Sequence, residues 1–198
     1  MSRALTLDDI ADLRAYERER EAFRAHVIDL KKRRRIGVGP VVTLVFENRD
    51  TIRFQIQEMA RAERMLTDEA IATELAIYNP LVPEPGQLSA TLFLELTSRA
   101  ELETWLPRLV GVERAAYVRI GEERIACAPD EAHAAQLTRE EITASVHYVR
   151  FDLTPPQVDA FAAAAAGAVA VGIDHPEYRE ETVLSASSRD ELLRDLRS

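Results

Sequence analysis

The stretch Val41–Met65, VVTLVFENRDTIRFQIQEMARAERM, constrains the fold more strongly than any other part of the sequence. Two apolar-rich runs flank the polar tetrapeptide ENRD at positions 47–50, a pattern that predicts a β-hairpin. A shift of one residue in the pairing would turn the polar side chains of the second strand into the core, so the pattern also predicts the register. The expected apolar face consists of Val41, Thr43, Val45, Ile52, Phe54 and Ile56.

The second strand of this hairpin would carry a polar row on its opposite face, because successive side chains of a strand alternate in direction. A helical segment after the strand would bring a glutamate and a second arginine towards that row. Two guanidinium groups can hold a carboxylate or phosphate through paired hydrogen bonds, whereas the simpler interpretation is a solvated sheet face with a local Glu58–Arg61 ion pair. With a histidine from a later strand, the candidate residues for binding a ligand or partner are Arg53, Gln55, Gln57, Glu58, Arg61 and His147.

A long helix is predicted before the hairpin, from Thr6 to about Arg34, with the Thr6 hydroxyl and the Asp9 carboxylate at its start. The basic run KKRRR at positions 31–35 closes this helix. These cations either complement the negative end of the helix dipole or bind an anionic partner, and both interpretations stay open. A helix of this length with a sparse apolar stripe also predicts self-association, so we expect a homodimer.

The C-terminal part contains a weak internal repeat, at residues 88–127 and 143–186. Both stretches have the predicted order strand, helix, strand, strand, and both pass from strand to helix at a threonine, in LELT and in FDLT. The acidic segment Pro129–Glu141 between them is predicted to be a linker or a short helix.

Hairpins and β-α-β-β units together predict an α+β fold with a mainly antiparallel sheet, preceded by the long N-terminal helix. With 198 residues, the chain suits one domain, or one domain with a helical arm. We expect the arm at residues 1–40 and a single α+β domain at residues 41–198.

Charge is distributed unevenly along a chain whose net charge is −9. Residues 1–65 hold 14 basic and 11 acidic residues, a net charge of +3, while residues 66–198 hold 11 and 23, a net charge of −12. The acidic total disfavours nucleic acid as a partner, and the asymmetry favours docking to a charged protein. Without an apolar run of about 20 residues or a signal-peptide core, we expect no membrane span and a cytoplasmic location.

Two of the histidines have two possible roles, as ligands of a metal ion or as structural residues. Two imidazoles and nearby carboxylates would suit Zn²⁺ or Fe²⁺, whereas the simpler interpretation is a strand histidine bonded to the backbone and an aspartate that caps a turn. The single cysteine, Cys127, excludes an intramolecular disulfide and a multi-cysteine metal site. The candidate metal ligands are His147, Asp174, His175 and Glu177.

Four long motifs resemble a bacterial family known only as domain of unknown function 3501. They are the opening LDDIADLRAYERERE…LKKRRRIGVGP, then FENRDTIRFQIQEM (Phe46–Met59), YNPLVPEPGQLSATLF (Tyr78–Phe93) and HYVRFDLT (His147–Thr154). The resemblance covers nearly the whole chain and carries no established activity, cofactor or catalytic residues. It implies a genomic neighbourhood of rubrerythrin-like di-iron proteins and iron–sulfur oxidoreductases, and so an accessory role in an iron or oxidative-stress system.

Two functional interpretations follow, because no catalytic motif occurs in its proper context. The first is a non-catalytic accessory or binding protein that docks a di-iron or iron–sulfur redox partner. The second is a small enzyme or ligand-binding protein that acts on an anionic small molecule. A cleft into which the candidate residues converge would favour the second interpretation.

Overall fold

Two antiparallel sheets and six α-helices make up residues 3–129 and 142–197, which are the residues that the computed structural model describes. The predicted α+β class with a long N-terminal helix is confirmed. The helices are α1 (Leu13–Arg34), α2 (Arg49–Glu63), α3 (Asp68–Tyr78), α4 (Arg99–Trp105), α5 (Pro155–Ala163) and α6 (Ala186–Arg197). The strands are β1 (Arg35–Val38), β2 (Val42–Glu47), β3 (Gln87–Leu94), β4 (Ala116–Ile120), β5 (Glu123–Ala126), β6 (Ala128–Pro129), β7 (Val146–Asp152), β8 (Val169–His175) and β9 (Tyr178–Val183).

The strand order is β1-β2-β3-β7-β6 in the first sheet, called sheet A, and β5-β4-β8-β9 in the second, called sheet B. Every neighbouring pair in both sheets is antiparallel. The apolar core lies between the sheets, because alternate residues of their strands are buried against one another. Inner-face residues of sheet A include Leu44, Phe46, Leu92 and Phe151, and those of sheet B include Val118, Val171 and Ile173.

Tyr178 of sheet B ties the two sheets together at the β1 edge of sheet A. Its hydroxyl donates to the carbonyl of Val38 and accepts from the backbone N–H groups of Val41 and Val42. Gly39 makes this approach possible, because a Cβ atom there would lie 2.5 Å from the Tyr178 hydroxyl. The phenol thus stabilises the turn between β1 and β2 through three hydrogen bonds to its backbone.

The two predicted repeat stretches interlock across both sheets. Each has the order β-α-β-β, as β3-α4-β4-β5 and as β7-α5-β8-β9. The first strand of each unit lies in sheet A and the following hairpin lies in sheet B. Strand β3 pairs with β7, and β4 pairs with β8, so each unit supplies the neighbour that the other needs. Of the predicted linker between them, residues 130–141 lie outside the described residues.

The predicted hairpin at Val41–Met65 is wrong, because its second half is helical. Strand β2 ends at Glu47 and α2 begins at Arg49. The side chain of Asn48 accepts from the N–H of Thr51, and the Thr51 hydroxyl accepts from the N–H of Asn48. This reciprocal capping box satisfies two N–H groups that a helix start leaves without partners. The helix then buries one apolar face against its surroundings, comprising Ile52, Ile56 and Ala60.

The N-terminal helix begins later than predicted. Thr6 and Asp9 do form a capping box, but it encloses a single 3-10 turn at Leu7–Asp9. Helix α1 begins at Leu13, where the Asp12 carboxylate accepts from the N–H of Ala15. Along its length α1 contacts α2, and it also contacts α6 and β2. Self-association through this helix stays a prediction.

In the described part of the chain, no helix has the length and apolar character needed to span a membrane.

Candidate functional site

The predicted polar row lies on a helix rather than a strand, and Arg53 there contacts the N-terminal segment. Its Nη2 atom is 2.6 Å from a carboxylate oxygen of Glu19, and its Nε atom donates to the carbonyl of Asp9 at 2.7 Å. The guanidinium also lies 4.6 Å from the centre of the Phe23 ring. Arg53 therefore holds α1 and the preceding turn against α2.

Three more candidate residues of α2 make similar contacts, with α1 or with the segment just before it. The fully buried amide of Gln57 exchanges hydrogen bonds with the backbone N–H and C=O of Ala11, at 2.8 and 3.1 Å. Glu58 accepts from the Tyr16 hydroxyl at 2.7 Å and from two nitrogens of Arg20, each at 2.8 Å. Arg20 holds the pKa of Glu58 below its usual value.

Arg61 completes this set through an ion pair with Glu17. The hydrogen-bonding groups of Arg53, Gln57 and Glu58 are thus used inside the helix pair. Of the five candidates on α2, only Gln55 turns elsewhere, into a pocket described below, and His147 lies apart from them on β7. A shared cleft for all six candidates, which would have favoured an anion site built from them, does not arise from this arrangement.

The cations of the basic run at positions 31–35 point in different directions and have different partners. Arg34 is fully buried and forms ion pairs with Glu191 at 2.8 Å and with Asp195 at 2.6 Å. Arg33 contacts Glu191 as well, at 3.2 Å, and Arg35 pairs with an exposed glutamate of the β3–α4 segment. Arg34 therefore locks the end of α1 to the C-terminal helix, and this contact is called the α1–α6 joint.

The pKa values of the two carboxyl groups in the α1–α6 joint are shifted in opposite directions. Burial raises the pKa of Glu191, but hydrogen bonds from Arg34 and Arg33 outweigh burial and lower it. Burial also raises the pKa of Asp195, and there Arg34 and Arg3 together do not outweigh burial, so the pKa stays raised. The two groups differ because Asp195 is the more strongly desolvated of the two and feels the charge of Glu191, whereas Glu191 accepts hydrogen bonds from a second arginine.

The four predicted metal ligands do not form one group. His147 lies on β7 in sheet A, whereas Asp174, His175 and Glu177 lie at the β8–β9 turn of sheet B. Asp174 pairs with two arginines and Glu177 with a third. Among residues 3–129 and 142–197, no three His, Cys, Asp or Glu side chains are placed to hold a metal ion together.

His147 differs from an ordinary surface histidine, because it is buried on the core side of sheet A. Its Nε2 atom lies 2.9 Å from the carbonyl oxygen of Ala144 and 2.9 Å from the Thr143 hydroxyl. Since a carbonyl only accepts, Nε2 carries the proton and Nδ1 bears a lone pair. Within the described residues that lone pair has no hydrogen-bond partner. Burial lowers the pKa of His147, which keeps the ring neutral.

A pocket of about 260 Å³ lies on the face of sheet A that points away from the core. Its base follows one row across four strands, because Arg35 pairs with Val45, Val45 with Thr91, and Thr91 with Tyr148. Helices α1 and α2 rise beside this row and contribute Lys31 and Gln55. The lining is Lys31, Arg35, Val45, Glu47, Gln55, Thr91, Phe93, Val146 and Tyr148.

Glu47 is the buried acid of this pocket, with 3% of its surface exposed. One carboxylate oxygen accepts from the Thr91 hydroxyl at 2.7 Å, and the other accepts from the Thr51 hydroxyl. No arginine, lysine or histidine of the described residues forms an ion pair with this carboxylate. Arg34 reaches only the backbone carbonyl of Glu47, at 3.4 Å.

Lys31 gives the same pocket a cation. Its ammonium forms no ion pair with the described part of the chain, in contrast with Lys32, which lies 3.7 Å from Asp29. Arg35, the other cation in the lining, is paired with Glu95. The pocket thus combines one carboxylate and one ammonium that form no ion pair with the described residues, and apolar side chains line the same cavity.

A family model described as "Protein of unknown function (DUF3501)" matches residues 4–196. The chain belongs to this family. The resemblance seen in the four sequence motifs is thereby confirmed. A crystal structure of a novel protein of unknown function from Burkholderia pseudomallei K96243 is similar, with 34% identity and a TM-score of 0.86. The match covers 98% of this chain and 99% of that one, and no functionally curated protein matches.

Neither Glu47 nor Arg34 is among the residues that the sequence predicts for a site, although they are the most deeply buried charged side chains of these two regions. Glu47 was placed in a turn, although it continues the alternation of Thr43 and Val45 along the outward face of β2. Arg34 was counted as one of five cations, although it follows Val27 and Leu30 at helical spacing on the buried face of α1.

Proposed function

We propose that this family member is a non-catalytic binding protein of the bacterial cytoplasm, and that the pocket on sheet A receives a small anionic molecule. One observation carries the proposal: the Lys31 ammonium lines a concave site and has no counter-ion in the described residues. A buried or half-buried cation without a partner favours an anion from solution. The Gln55 amide beside it offers a donor and an acceptor that fix orientation.

The shape of the pocket supports a small molecule rather than a peptide. Ligand sites are concave and mostly apolar with a few convergent polar groups. Here Val45, Phe93 and Val146 provide apolar surface, and a few charged and polar side chains complete the lining. The row of paired strands beneath makes the base rigid, so the site is formed before the ligand arrives.

The experiment is calorimetric titration of the full chain with benzoate, 3-phenylpropanoate and phenyl phosphate. We expect at least one of them to bind and Lys31→Gln to weaken it about tenfold, since a charged hydrogen bond contributes about 1.5–3 kcal/mol. Lys32→Gln is the matched control, because this neighbouring lysine lies outside the pocket and pairs with Asp29. Binding that survives Lys31→Gln unchanged, or no binding at millimolar concentration, contradicts the proposal.

The accessory role in an iron or oxidative-stress system belongs to the same proposal and rests on the family resemblance. The partner would be a di-iron or iron–sulfur redox protein. The charge asymmetry of the chain, +3 before residue 66 and −12 after it, supports docking through charged surfaces. Titration with a purified rubrerythrin-like protein at low and high salt is the test. A salt-sensitive complex supports the role, and no complex at either salt concentration refutes it.

A further inference from the structure

We propose that the ligand of the sheet A pocket is a zwitterion, with its anionic group at Lys31 and a protonated amine at Glu47. This inference rests on the proposed function, since it assumes that a small molecule occupies the pocket. It adds the chemical class of that molecule. The structural basis is the presence of two opposite charges, each without a protein counter-ion, in one small cavity.

Glu47 supplies the first half of the argument. Burial of an ionised carboxylate is costly unless a cation and hydrogen bonds compensate it. Two threonine hydroxyls satisfy one lone pair on each oxygen, and each carboxylate oxygen has a second lone pair. An ammonium from a ligand would complete this set of hydrogen bonds and provide the missing positive charge.

The α1–α6 joint shows how the same chain treats buried carboxylates that have only a structural role. There Arg34 forms ion pairs with both Glu191 and Asp195, so protein groups alone compensate the two charges. At Glu47 the fold brings hydroxyls to the carboxylate but leaves the pocket side open. The open side therefore points to a cation that comes from outside the chain.

A ligand with a single charge complements only one of the two residues, so we expect it to bind more weakly than a zwitterion. A simple anion that bound Lys31 would leave Glu47 without a cation and would lie close to a buried negative charge. A simple amine at Glu47 would in turn lie in the same cavity as the Lys31 ammonium. Since charge complementarity governs which ligands a site rejects, only a molecule with both charges matches both residues.

The cavity also sets the size and the body of the ligand. A cavity of about 150 Å³ holds benzene, so the pocket of about 260 Å³ has room for roughly ten to twelve non-hydrogen atoms. Phe93 and Tyr148 line it, and aromatic rings attract both apolar groups and ammonium ions. An amino acid with an apolar side chain, or an aromatic acid with an aminoalkyl group, has these properties.

The test compares ligands that differ by one charged group, with the wild-type full chain in a calorimeter. Phenylalanine and 4-(aminomethyl)benzoate carry both charges, 3-phenylpropanoate carries only the acid, and 2-phenylethylamine carries only the amine. We expect at least one zwitterion to bind about tenfold more tightly than either singly charged molecule. Because this comparison needs no variant, a folding defect cannot obscure it.

Each other outcome has one meaning. If 3-phenylpropanoate binds as tightly as both zwitterions, the zwitterion inference is overturned and the proposed anion site stands. If 2-phenylethylamine binds most tightly, or if none of the probes binds at millimolar concentration, both the inference and the anion site fail.

Two substitutions then assign the charges to residues. Glu47→Gln should reduce zwitterion affinity to that of 3-phenylpropanoate, and Lys31→Gln should reduce it to that of 2-phenylethylamine. Lys32→Gln should leave every affinity unchanged, and circular dichroism should confirm that the variants are folded. A zwitterion preference that survives Glu47→Gln in a folded variant would refute the role of Glu47.

Discussion

The α1–α6 joint and the pocket on sheet A both bury carboxylates, and they compensate the charge in different ways. In the joint, Glu191 and Asp195 surround the fully buried guanidinium of Arg34. In the pocket, Glu47 is equally buried but receives only hydroxyl groups from Thr51 and Thr91. The two regions lie close together, because Arg34 also reaches the backbone carbonyl of Glu47.

This difference separates a structural role from a binding role by physical criteria rather than by analogy. A carboxylate with an internal arginine has its full set of partners, and a ligand adds nothing to it. A carboxylate with hydroxyls alone has acceptor capacity and charge left over. Substitutions in the joint should therefore change stability, whereas substitutions in the pocket should change ligand binding and leave stability nearly unaltered.

Loss of the joint arginine should give the largest effect. Arg34→Leu leaves two buried carboxylates without their shared partner, and removal of one member of a buried ion pair costs about 3–5 kcal/mol. We expect the free energy of unfolding, measured with urea at neutral pH, to fall by that amount. Arg33→Gln is the control, since Arg33 is partly exposed and should cost less than about 1 kcal/mol. Equal losses in both variants would show that burial of Arg34 has no special importance.

The pH dependence of the Arg34→Leu defect follows from the same contrast. Burial already raises the pKa of Asp195 above its ordinary value, so without Arg34 we expect that pKa to rise further, and we expect the pKa of Glu191 to rise as well because the hydrogen bond that lowers it most is lost. An acid whose folded pKa is raised contributes full stability below its unfolded pKa and loses it as pH rises through the folded pKa. The stability deficit of the variant should thus be smaller near pH 4 than at pH 7. A deficit that is constant between urea titrations at these two pH values would contradict this mechanism.

The same comparison shows what the sequence could reveal. The sequence predicts the β-α-β-β order because the alternating apolar pattern of a strand changes to the 3.6-residue pattern of a helix at two threonines. These are Thr97 and Thr154. The segment after Asn48 was misread because its alternating polar residues fit a strand as well as a helix. Ile52 and Ile56 are four residues apart, a spacing that puts them on one face of a strand and also about one turn apart on one face of a helix. The capping pair of Asn48 and Thr51 was the signal that would have decided it.

The pocket could not be read from the sequence for a different reason. Its base consists of single residues from four strands, and their register is a property of the assembled sheet. Nothing local distinguishes Glu47 from an exposed glutamate at a strand end. Likewise, the partners of Arg34 lie more than 150 residues further along the chain, at Glu191 and Asp195.

The same isosteric substitution in the two regions should have unequal effects. Glu191→Gln removes a charge that Arg34 contacts and should cost about 1–3 kcal/mol of unfolding free energy. Glu47→Gln keeps one oxygen that accepts from one threonine hydroxyl, places an N–H donor against the oxygen of the other, and removes a buried charge, so we expect a change within about 1 kcal/mol in either direction. Urea unfolding of the two variants beside wild type measures both. A larger loss at Glu47 than at Glu191 would reverse the assignment of structural and binding roles.

The smallest effect on stability is expected on the outer face of sheet B, where a carboxylate also pairs with an arginine but the pair is only partly buried. Glu181 there accepts from two nitrogens of Arg119, at 2.9 and 2.7 Å, and from the Tyr117 hydroxyl at 3.0 Å. The geometry is as good as that in the joint, but water screens these charges, and exposed pairs contribute about 0.2–1 kcal/mol.

A double-mutant cycle with Arg119→Gln and Glu181→Gln should therefore give a coupling energy below about 1 kcal/mol, and it should shrink further at high salt. If the coupling equals the loss caused by Arg34→Leu, the guanidinium and not burial determines the strength of such pairs. The unpaired, buried Glu47 would then no longer stand out as a site that requires a cation from outside. A weak coupling on sheet B, together with a large loss of unfolding free energy from Arg34→Leu, keeps burial as the reason why Glu47 requires a positively charged ligand group.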